Sequence, residues 1–428
     1  MDKTDARPGD YVKLSLVNKD HKGILLESPE SERGIILLKL DSGYNLGFVR
    51  KDVFSIKVLK KFSETENKIE KIKSDSKKPN VAMIITGGTI AARLNPRKGG
   101  VDWLTNPEEL FKFYPEIFEK VNVSVVSIPF MKASEDMDFR DWQKIARTAV
   151  KLLNDQNIKG LIITHGTDFL HYTSAALSFF IRDLNKPVVL TYSQRSIDRA
   201  SSDANLNLQC SALAAVSDIA EVMLVGHASE NDDFCNAMSG TKVRKLHTSR
   251  RDAFKVINGK SFAKIYPDKI VNVSDYSSRK KGKAKLDVKF EEKVAVVKIY
   301  PGQNPEILDF YARKKYKGIV LEMSGLGHAP GKRSKNSWIK KLKELRKKGI
   351  VVVGVSQCIN GRTDPFVYSN GRELMDTGII YLEDMLAETA FVKLGWVLGH
   401  EEWAKNYDKV KEKMLENIAG EISERLEA

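Results

Sequence analysis

The chain has 428 residues, of which 42% are hydrophobic and 29% charged, a composition that is ordinary for a soluble globular protein of two or three domains. Its hydrophobic runs are all shorter than the roughly 18 residues that a membrane span needs, and its first residues lack the hydrophobic stretch of a signal peptide, so we predict a cytoplasmic protein that does not enter the membrane. The cysteines, Cys210, Cys235 and Cys358, are scattered, which disfavours a zinc site and a disulfide framework.

The formal net charge of +14 indicates an anionic partner but does not identify it. Lysine and arginine are most frequent in residues 279–285 and 332–348. Neither segment shows the repeated aromatic side chains of a base-stacking surface, and solvated helix faces and loop tips have the same composition. Nucleic acid is therefore a candidate partner, and an ordinary charged surface is the alternative.

The first predicted domain covers residues 1–62 and is a small β-barrel. Short runs typical of strands, such as 11–16 and 34–40, are separated by turn residues such as those at 41–43. Residues 63–79 are nearly all polar or charged and end at a proline, which is typical of a linker. The first domain boundary is therefore expected in this segment.

After the linker, hydrophobic runs alternate with helical patterns, which predicts an α/β protein with a parallel, doubly wound main sheet. We expect a larger α/β domain at 80–275, a basic connector at 276–292, and a smaller C-terminal α/β domain with a helical tail at 293–428. The strands of both α/β domains are predicted near 81–85, 123–128, 161–164, 188–191, 222–225, 294–299, 318–323 and 350–355. Helices are predicted over 142–153, 306–315 and 338–347.

Two threonine-bearing turns follow predicted strands of the larger domain. The first reads Thr-Gly-Gly-Thr at 86–89, and the second reads Thr-His-Gly-Thr-Asp at 164–168. Parallel strands bring their carboxyl ends to one edge of a sheet, where α/β proteins bind ligands, so both turns are expected at a ligand site. A threonine oxygen is a poor nucleophile without a nearby base, so the pair of turns is more informative than either alone.

These turns indicate a small amino-acid-like ligand rather than a nucleotide. Neither a Gly-x-Gly-x-x-Gly sequence nor a P-loop sequence is present, which disfavours a phosphate-binding loop. The carboxylate of Asp168 can hold an ammonium group through charge-assisted hydrogen bonds. A third loop, Ser-Glu-Asp-Met-Asp at 134–138, also follows a predicted strand and is expected at the same edge.

Three motifs resemble the bacterial-type L-asparaginase family of amidohydrolases over most of residues 80–400. They are Thr-Gly-Gly-Thr-Ile-Ala at 86–91, His-Gly-Thr-Asp at 165–168 and the Ser-x-Asp-Met loop at 134–137. With the added N-terminal domain and the segments at 41–47, 201–204, 240–245 and 247–254, nearly the whole chain is similar to the D subunits of archaeal glutamyl-tRNA(Gln) amidotransferases. The resemblance implies an asparaginase-like two-domain α/β fold.

The resemblance also implies a glutaminase site. Thr89 would attack the side-chain amide of glutamine, form a γ-glutamyl ester and release ammonia, after which water would hydrolyse the ester. Thr167, Asp168 and Lys242 would complete the catalytic group, with Lys242 accepting the proton of the Thr167 hydroxyl. Apart from the resemblance, we expect His165 to orient its turn rather than to transfer a proton. The residues implied in substrate binding are Gly88, Ser134, Glu135, Gly166, Asp168 and Asn304.

The implied partners are a second copy of this chain and a separate amidotransferase subunit. The partner subunit would use the ammonia to convert Glu-tRNA(Gln) into Gln-tRNA(Gln), and ATP and magnesium would bind to it, so no cofactor is expected on this chain. Two alternatives remain open: a free-standing asparaginase or glutaminase with an accessory domain, and a non-catalytic scaffold that binds RNA.

One segment departs from the asparaginase pattern. Asparaginases carry a tyrosine on a mobile lid shortly after the nucleophile, whereas residues 93–106 contain no tyrosine and have Pro96 and Trp103 instead. The lid therefore works differently here, or Thr89 is activated through another group.

Overall fold

The computed structural model describes residues 5–28, 31, 33–42, 44–61, 75–95, 100–103, 115–197, 199 and 201–426. Most of the predicted linker at 63–79, up to residue 74, lies outside the described residues. Within them, no helix is both long enough and hydrophobic enough to span a bilayer.

The strands in chain order are β1 (Tyr11–Ser15), β2 (Asp20–Leu26), β3 (Ile35–Leu40), β4 (Asn45–Val49), β5 (Ser55–Lys60), β6 (Asn80–Ile85), β7 (Ala92–Asn95), β8 (Gly100–Trp103), β9 (Asn122–Ser127), β10 (Ile158–Thr164), β11 (Ile181–Arg182), β12 (Val188–Thr191), β13 (Val222–His227), β14 (Cys235–Ser239), β15 (Val243–Lys245), β16 (Phe254–Val256), β17 (Ala263–Ile265), β18 (Ile270–Asn272), β19 (Lys285–Leu286), β20 (Val294–Lys298), β21 (Gly318–Met323), β22 (Val351–Ser356) and β23 (Ile380–Tyr381).

The α-helices in chain order are α1 (Ile117–Lys120), α2 (Phe139–Leu153), α3 (Leu170–Phe180), α4 (Ala204–Val216), α5 (Ile307–Arg313), α6 (Ile339–Lys347), α7 (Ser369–Met375), α8 (Ala387–Leu398), α9 (Glu401–Ala404) and α10 (Tyr407–Leu415). Short 3-10 helices are formed by Arg50–Asp52, Thr89–Ala91 and Ser134–Asp136.

The N-terminal strands β1–β5 form an antiparallel sheet in the order β4-β3-β2-β1-β5. Hydrophobic side chains at alternate positions, including Val12, Leu14, Ile36 and Leu38, form a small core of their own. Among the described residues, the two edge strands β4 and β5 are not hydrogen-bonded to each other. The predicted strands of this part are therefore present, but the predicted closed barrel is not confirmed.

The main sheet has the strand order β18-β17-β14-β13-β12-β10-β6-β9. The five strands from β13 to β9 are parallel, whereas β14, β17 and β18 pair antiparallel. The prediction of a parallel sheet is therefore right for the half that carries the threonine turns and wrong for the edge formed by β14, β17 and β18. The short antiparallel strands depend on their pairing partners, so their own residues carry a weak signal.

Helices cover both faces of the parallel half of the sheet. Side chains alternate along each strand, so successive residues are buried under helices on opposite faces. Val81, Met83 and Ile85 of β6 are buried on the face covered by α4. Ala82 and Ile84 of the same strand are buried on the face covered by α2 and α3. This double coverage explains why the strands read as continuous hydrophobic runs.

Strands β20–β23 form a second, parallel sheet in chain order. Its two faces are again separated by alternation, since Val320 belongs to the core that contains α3 and α8, while Ile319 and Leu321 pack with α5 and α6. Helix α8 therefore lies in one hydrophobic core with residues of both sheets. The basic segment at 276–292 contains β19, which pairs with β11 next to α3.

Candidate active site

Three loops meet at the carboxyl edge of β9, β6 and β10, which are neighbouring parallel strands. The backbone N–H and the hydroxyl of Thr86 both donate to the carbonyl oxygen of Thr164, at 3.2 and 2.9 Å. The backbone N–H of Lys132 donates to the carbonyl oxygen of Thr86 at 2.9 Å. The expectation that the two threonine turns and the third loop share one sheet edge is therefore confirmed.

Glycines allow the closest approaches between these loops. Gly88 has φ 83° and ψ 173°, a conformation that residues with a β-carbon rarely adopt. A β-carbon at Gly88 would collide with the backbone of Gly166, and one at Gly166 would lie 3.0 Å from the hydroxyl oxygen of Ser134. These glycines therefore place Thr89 and Thr167 on adjacent turns.

Thr89 begins the 3-10 helix that follows Gly88. Its side chain is partly exposed, whereas the next two residues, Ile90 and Ala91, are buried. The chain then forms the antiparallel β7–β8 hairpin, where the lid is expected. Of the predicted lid segment 93–106, residues 96–99 and 104–106 lie outside the described residues.

The amine beside Thr167 belongs to Lys245. Its Nζ atom donates to Thr167 Oγ1 at 2.8 Å and lies 2.8 Å from Asp168 Oδ1. The lysine side chain is 11% exposed and the Asp168 side chain 60% exposed, so a largely buried amine lies beneath a solvent-facing carboxylate. When it is uncharged, an amine in this position can accept the proton of the threonine hydroxyl.

Lys242, the lysine that the resemblance implied for this role, lies elsewhere. Its Nζ atom donates to the carboxylate of Asp384 and, at 2.9 Å, to Ser423 Oγ. Its side chain is buried between these groups. The predicted contact between Lys242 and Thr167 is therefore wrong, and Lys245 makes it instead.

The alternation of side chains along an extended chain explains why Lys245, and not Lys242, contacts Thr167. Lys242 and Arg244 face the C-terminal part of the chain, where Arg244 Nε lies 3.2 Å from Glu388 Oε1. Lys245 points to the opposite side and reaches Thr167. The Gly-Thr-Lys-Val-Arg-Lys sequence contains both lysines, and their odd spacing in a strand was the signal that only one of them could face the threonine turns.

His165 orients its own turn. Its Nδ1 atom lies 2.7 Å from the Gly166 carbonyl oxygen, which can only accept, so Nδ1 carries the proton. Nε2 then accepts from the Thr173 hydroxyl at 2.9 Å. Burial lowers the pKa of His165 to about 4, and the ring stays uncharged at neutral pH. These contacts match the predicted orienting role.

Ser134 connects the third loop to the second threonine turn. Its hydroxyl oxygen accepts the backbone N–H groups of Asp168 at 3.1 Å and Phe169 at 3.3 Å, just before α3 begins. This contact caps the helix from a separate loop. Glu135 is exposed at the same edge, and its carboxylate lies 3.4 Å from Ser134 Oγ. Direct substrate binding by these two residues stays a prediction.

Asn304 lies in the C-terminal part, after β20 and just before α5. It is exposed, and its side chain exchanges hydrogen bonds with Glu306, whose backbone N–H donates to Asn304 Oδ1 at 3.1 Å. Neither of these hydrogen bonds involves a threonine turn. The predicted role of Asn304 in substrate binding therefore stays a prediction.

The described residues contain no cluster of three or more His, Cys, Asp or Glu side chains that could hold a metal ion. The polar groups at the two threonine turns include the hydroxyls of Thr89 and Thr167, the amine of Lys245 and the carboxylate of Asp168. Together they can perform acyl transfer through a threonine ester, with the amine moving a proton.

Models of three protein families match consecutive parts of the chain. Residues 80–277 match the asparaginase N-terminal domain, and residues 293–414 match the glutaminase/asparaginase C-terminal domain. Residues 6–59 match the GatD N-terminal domain.

Individual relatives match over nearly the whole length. The D subunit of the glutamyl-tRNA(Gln) amidotransferase from Thermococcus kodakarensis is 44% identical over 97% of this chain and 94% of its own length. The equivalent protein from Methanothermobacter thermautotrophicus is 40% identical over 97% and 94%. The solved L-asparaginase of Thermococcus kodakarensis is 29% identical, with a TM-score of 0.71 over 81% of this chain and 100% of its own.

Proposed function

The chain belongs to the family of glutamyl-tRNA(Gln) amidotransferase D subunits, and we propose that it is the glutaminase component of such an enzyme. It releases ammonia from glutamine, and a partner subunit uses the ammonia to convert Glu-tRNA(Gln) into Gln-tRNA(Gln) with ATP. We assign ATP and magnesium to the partner, and a homodimer of this chain to the complex. The asparaginase-like fold of the part of the chain that follows the linker supports this function.

Thr89 is the proposed nucleophile. Its oxygen gives up its proton and attacks the side-chain carbonyl carbon of glutamine. The tetrahedral intermediate then breaks its carbon–nitrogen bond as the nitrogen takes up the proton that Thr89 released, and the nitrogen leaves as ammonia. Water then attacks the γ-glutamyl ester, which releases glutamate and restores the hydroxyl. We expect backbone N–H groups of the two turns to stabilise the oxyanion of both intermediates.

The hydrogen bond between Lys245 Nζ and Thr167 Oγ1, 2.8 Å long, is the observation that carries this mechanism. In this relay the amine of Lys245, once it has given up its own proton, accepts the Thr167 proton, and Thr167 in turn accepts the proton of Thr89 on the adjacent turn. This relay gives Thr89 the base that a threonine nucleophile requires. Asp168 holds the α-ammonium group of glutamine at the open edge of the site.

We expect the isolated chain to hydrolyse glutamine only weakly, because free ammonia is useful only when the acceptor is present. The partner subunit and charged tRNA should raise the rate of ammonia release by about 5- to 150-fold, the range of ordinary coupling between sites. Ammonia release measured with and without both additions checks this. Fast unassisted hydrolysis with a preference for asparagine would instead identify a free-standing asparaginase.

Replacing Asp168 with asparagine should raise the KM for glutamine by about 10- to 100-fold, because a charge-assisted hydrogen bond to the α-ammonium group is lost. The amide oxygen still leaves an acceptor for Lys245. Steady-state kinetics with glutamine and with glutaramate, which lacks the ammonium group, measure the effect. The wild type should prefer glutamine strongly and the variant should not.

The matched control is Asp136→Asn, which removes an exposed carboxylate from the neighbouring Ser134–Asp136 turn. Its KM for glutamine should stay close to the wild-type value. An equal rise in both variants would show that general electrostatic attraction, and not Asp168, holds the substrate.

A further inference from the structure

We infer that Lys242 is a positioning residue, which together with Asp384 and Ser423 fixes the chain segment that delivers Lys245 to Thr167. The inference rests on the proposed function, because that function gives Lys245 its part in the reaction. It assigns a role to a buried ionic cluster that touches neither threonine turn.

The three residues of the cluster are hydrogen-bonded to one another, and its two charged side chains are buried. Lys242 Nζ donates to one carboxylate oxygen of Asp384 and to Ser423 Oγ, and the other carboxylate oxygen accepts the backbone N–H of Ser423 at 2.9 Å. The side chains of Lys242 and Asp384 are 6% and 0% exposed. A buried charge that loses its partner destabilises a protein strongly, so this pair strongly disfavours any movement of one segment away from the other.

The residues just before β15 are held by further contacts on several sides. Ser174 of α3 donates to the carbonyl oxygen of Gly240 at 2.8 Å, and Thr389 of α8 donates to that of Thr241 at 2.7 Å. The hydroxyl of Thr241 donates to the carbonyl oxygen of Ala419 at 3.0 Å. The segment therefore rests on helices of both sheets and on the C-terminal tail, which we define as residues 416–426.

The C-terminal tail is itself anchored by a second buried ion pair. Lys393 of α8 donates to the carboxylate of Glu421, which also accepts the backbone N–H of Ala419. Both charged side chains are fully buried. Burial lowers the pKa of Lys393, an effect that the neighbouring carboxylate opposes. The tail is thus fixed two residues before Ser423 and presents that serine to Lys242.

The position of Lys245 follows from this anchoring. Lys245 lies three positions after Lys242, at the end of β15, a span of about 10 Å in extended chain, and the two side chains point to opposite sides. Any shift of the anchored end is carried along the strand to the amine beside Thr167. Because a displacement of about 1 Å can lower a catalytic rate by about 100-fold, the cluster is expected to control the rate rather than substrate affinity.

The test is the double variant Lys242→Met with Asp384→Asn in the full-length chain, which leaves no unpaired charge. We expect kcat for glutamine hydrolysis to fall by about 10- to 100-fold, with KM within about 3-fold of the wild-type value. Ser423→Ala, which removes one hydrogen bond and no charge, is the milder variant and should lower kcat by a smaller factor. Thermal unfolding shows that each variant is folded at the assay temperature.

The matched control is Lys341→Met on α6, which removes a lysine that is ion-paired with Asp309 at 2.8 Å and leaves the cluster intact. Its kcat should equal that of the wild type. A crystal structure of the double variant adds a readout that needs no turnover, since Lys245 Nζ should leave hydrogen-bonding range of Thr167 Oγ1.

An unchanged kcat in the folded double variant, or an unchanged contact between Lys245 and Thr167 in its crystal structure, overturns the inference. A wild-type chain that fails to hydrolyse glutamine even with its partner and charged tRNA refutes the proposed function instead. In that case the crystallographic contact still decides whether the cluster positions Lys245.

Discussion

Replacing Thr89 with valine should lower the rate of glutamine hydrolysis by about 10⁴-fold or more, because valine has nearly the same shape but no oxygen to form the ester. The residue begins the short helix after Gly88 and its side chain is partly exposed, so the change leaves the packing of the turn intact. Ammonia release by the complete enzyme measures the loss.

Thr89→Ser is the control for this variant, since serine keeps a nucleophilic oxygen and should keep measurable activity. Rapid acid quenching of the wild type, followed by mass spectrometry, should find a glutamyl group on the peptide that contains residue 89. A glutamyl adduct on another residue, or full activity of the valine variant, would show that a different nucleophile is used.

Replacing Lys245 with methionine should lower kcat by about 10²- to 10⁴-fold, the usual contribution of a positioned acid or base. Methionine fills the space of the lysine stem but cannot accept the proton of Thr167, to which the lysine amine lies at 2.8 Å. The KM for glutamine should change much less. Stopped-time assays of ammonia release at saturating glutamine give kcat directly.

Lys255 on β16 provides the matched control for Lys245→Met. It lies on the strand that pairs with β15, and its amine donates to an Asp252 carboxylate oxygen and to the Ala228 carbonyl oxygen, both at 2.8 Å. Lys255→Met should keep the wild-type kcat. Small primary amines added to a Lys245→Ala variant should restore part of its activity. If they do not, and if Lys245→Met and Lys255→Met lose activity equally, the result would argue against a base at position 245.

Most strands of the parallel half could be predicted from the sequence, because a strand covered on both faces is hydrophobic at every position. Residues 81–85 show this pattern, and the structure has β6 at Asn80–Ile85. The two threonine turns could be predicted at one sheet edge for the same reason, since strand direction alone determines which ends of parallel strands meet. The antiparallel strands β17 and β18, three residues each, were not predicted because such short strands depend on their neighbours.

The sequence by itself determined the α/β class and the shared edge of the two turns. It also supplied Gly88 and Gly166, whose lack of a β-carbon lets the two turns lie against each other. Only the tertiary structure decided which lysine meets Thr167, because that contact joins residues 78 positions apart. Within the segment 240–245 both lysines have the same local signal, and the pairing of β15 with β16 and the contacts of the C-terminal tail determine the side to which each one points. The physical reason is that local patterns determine secondary structure, whereas a catalytic contact depends on how distant segments pack.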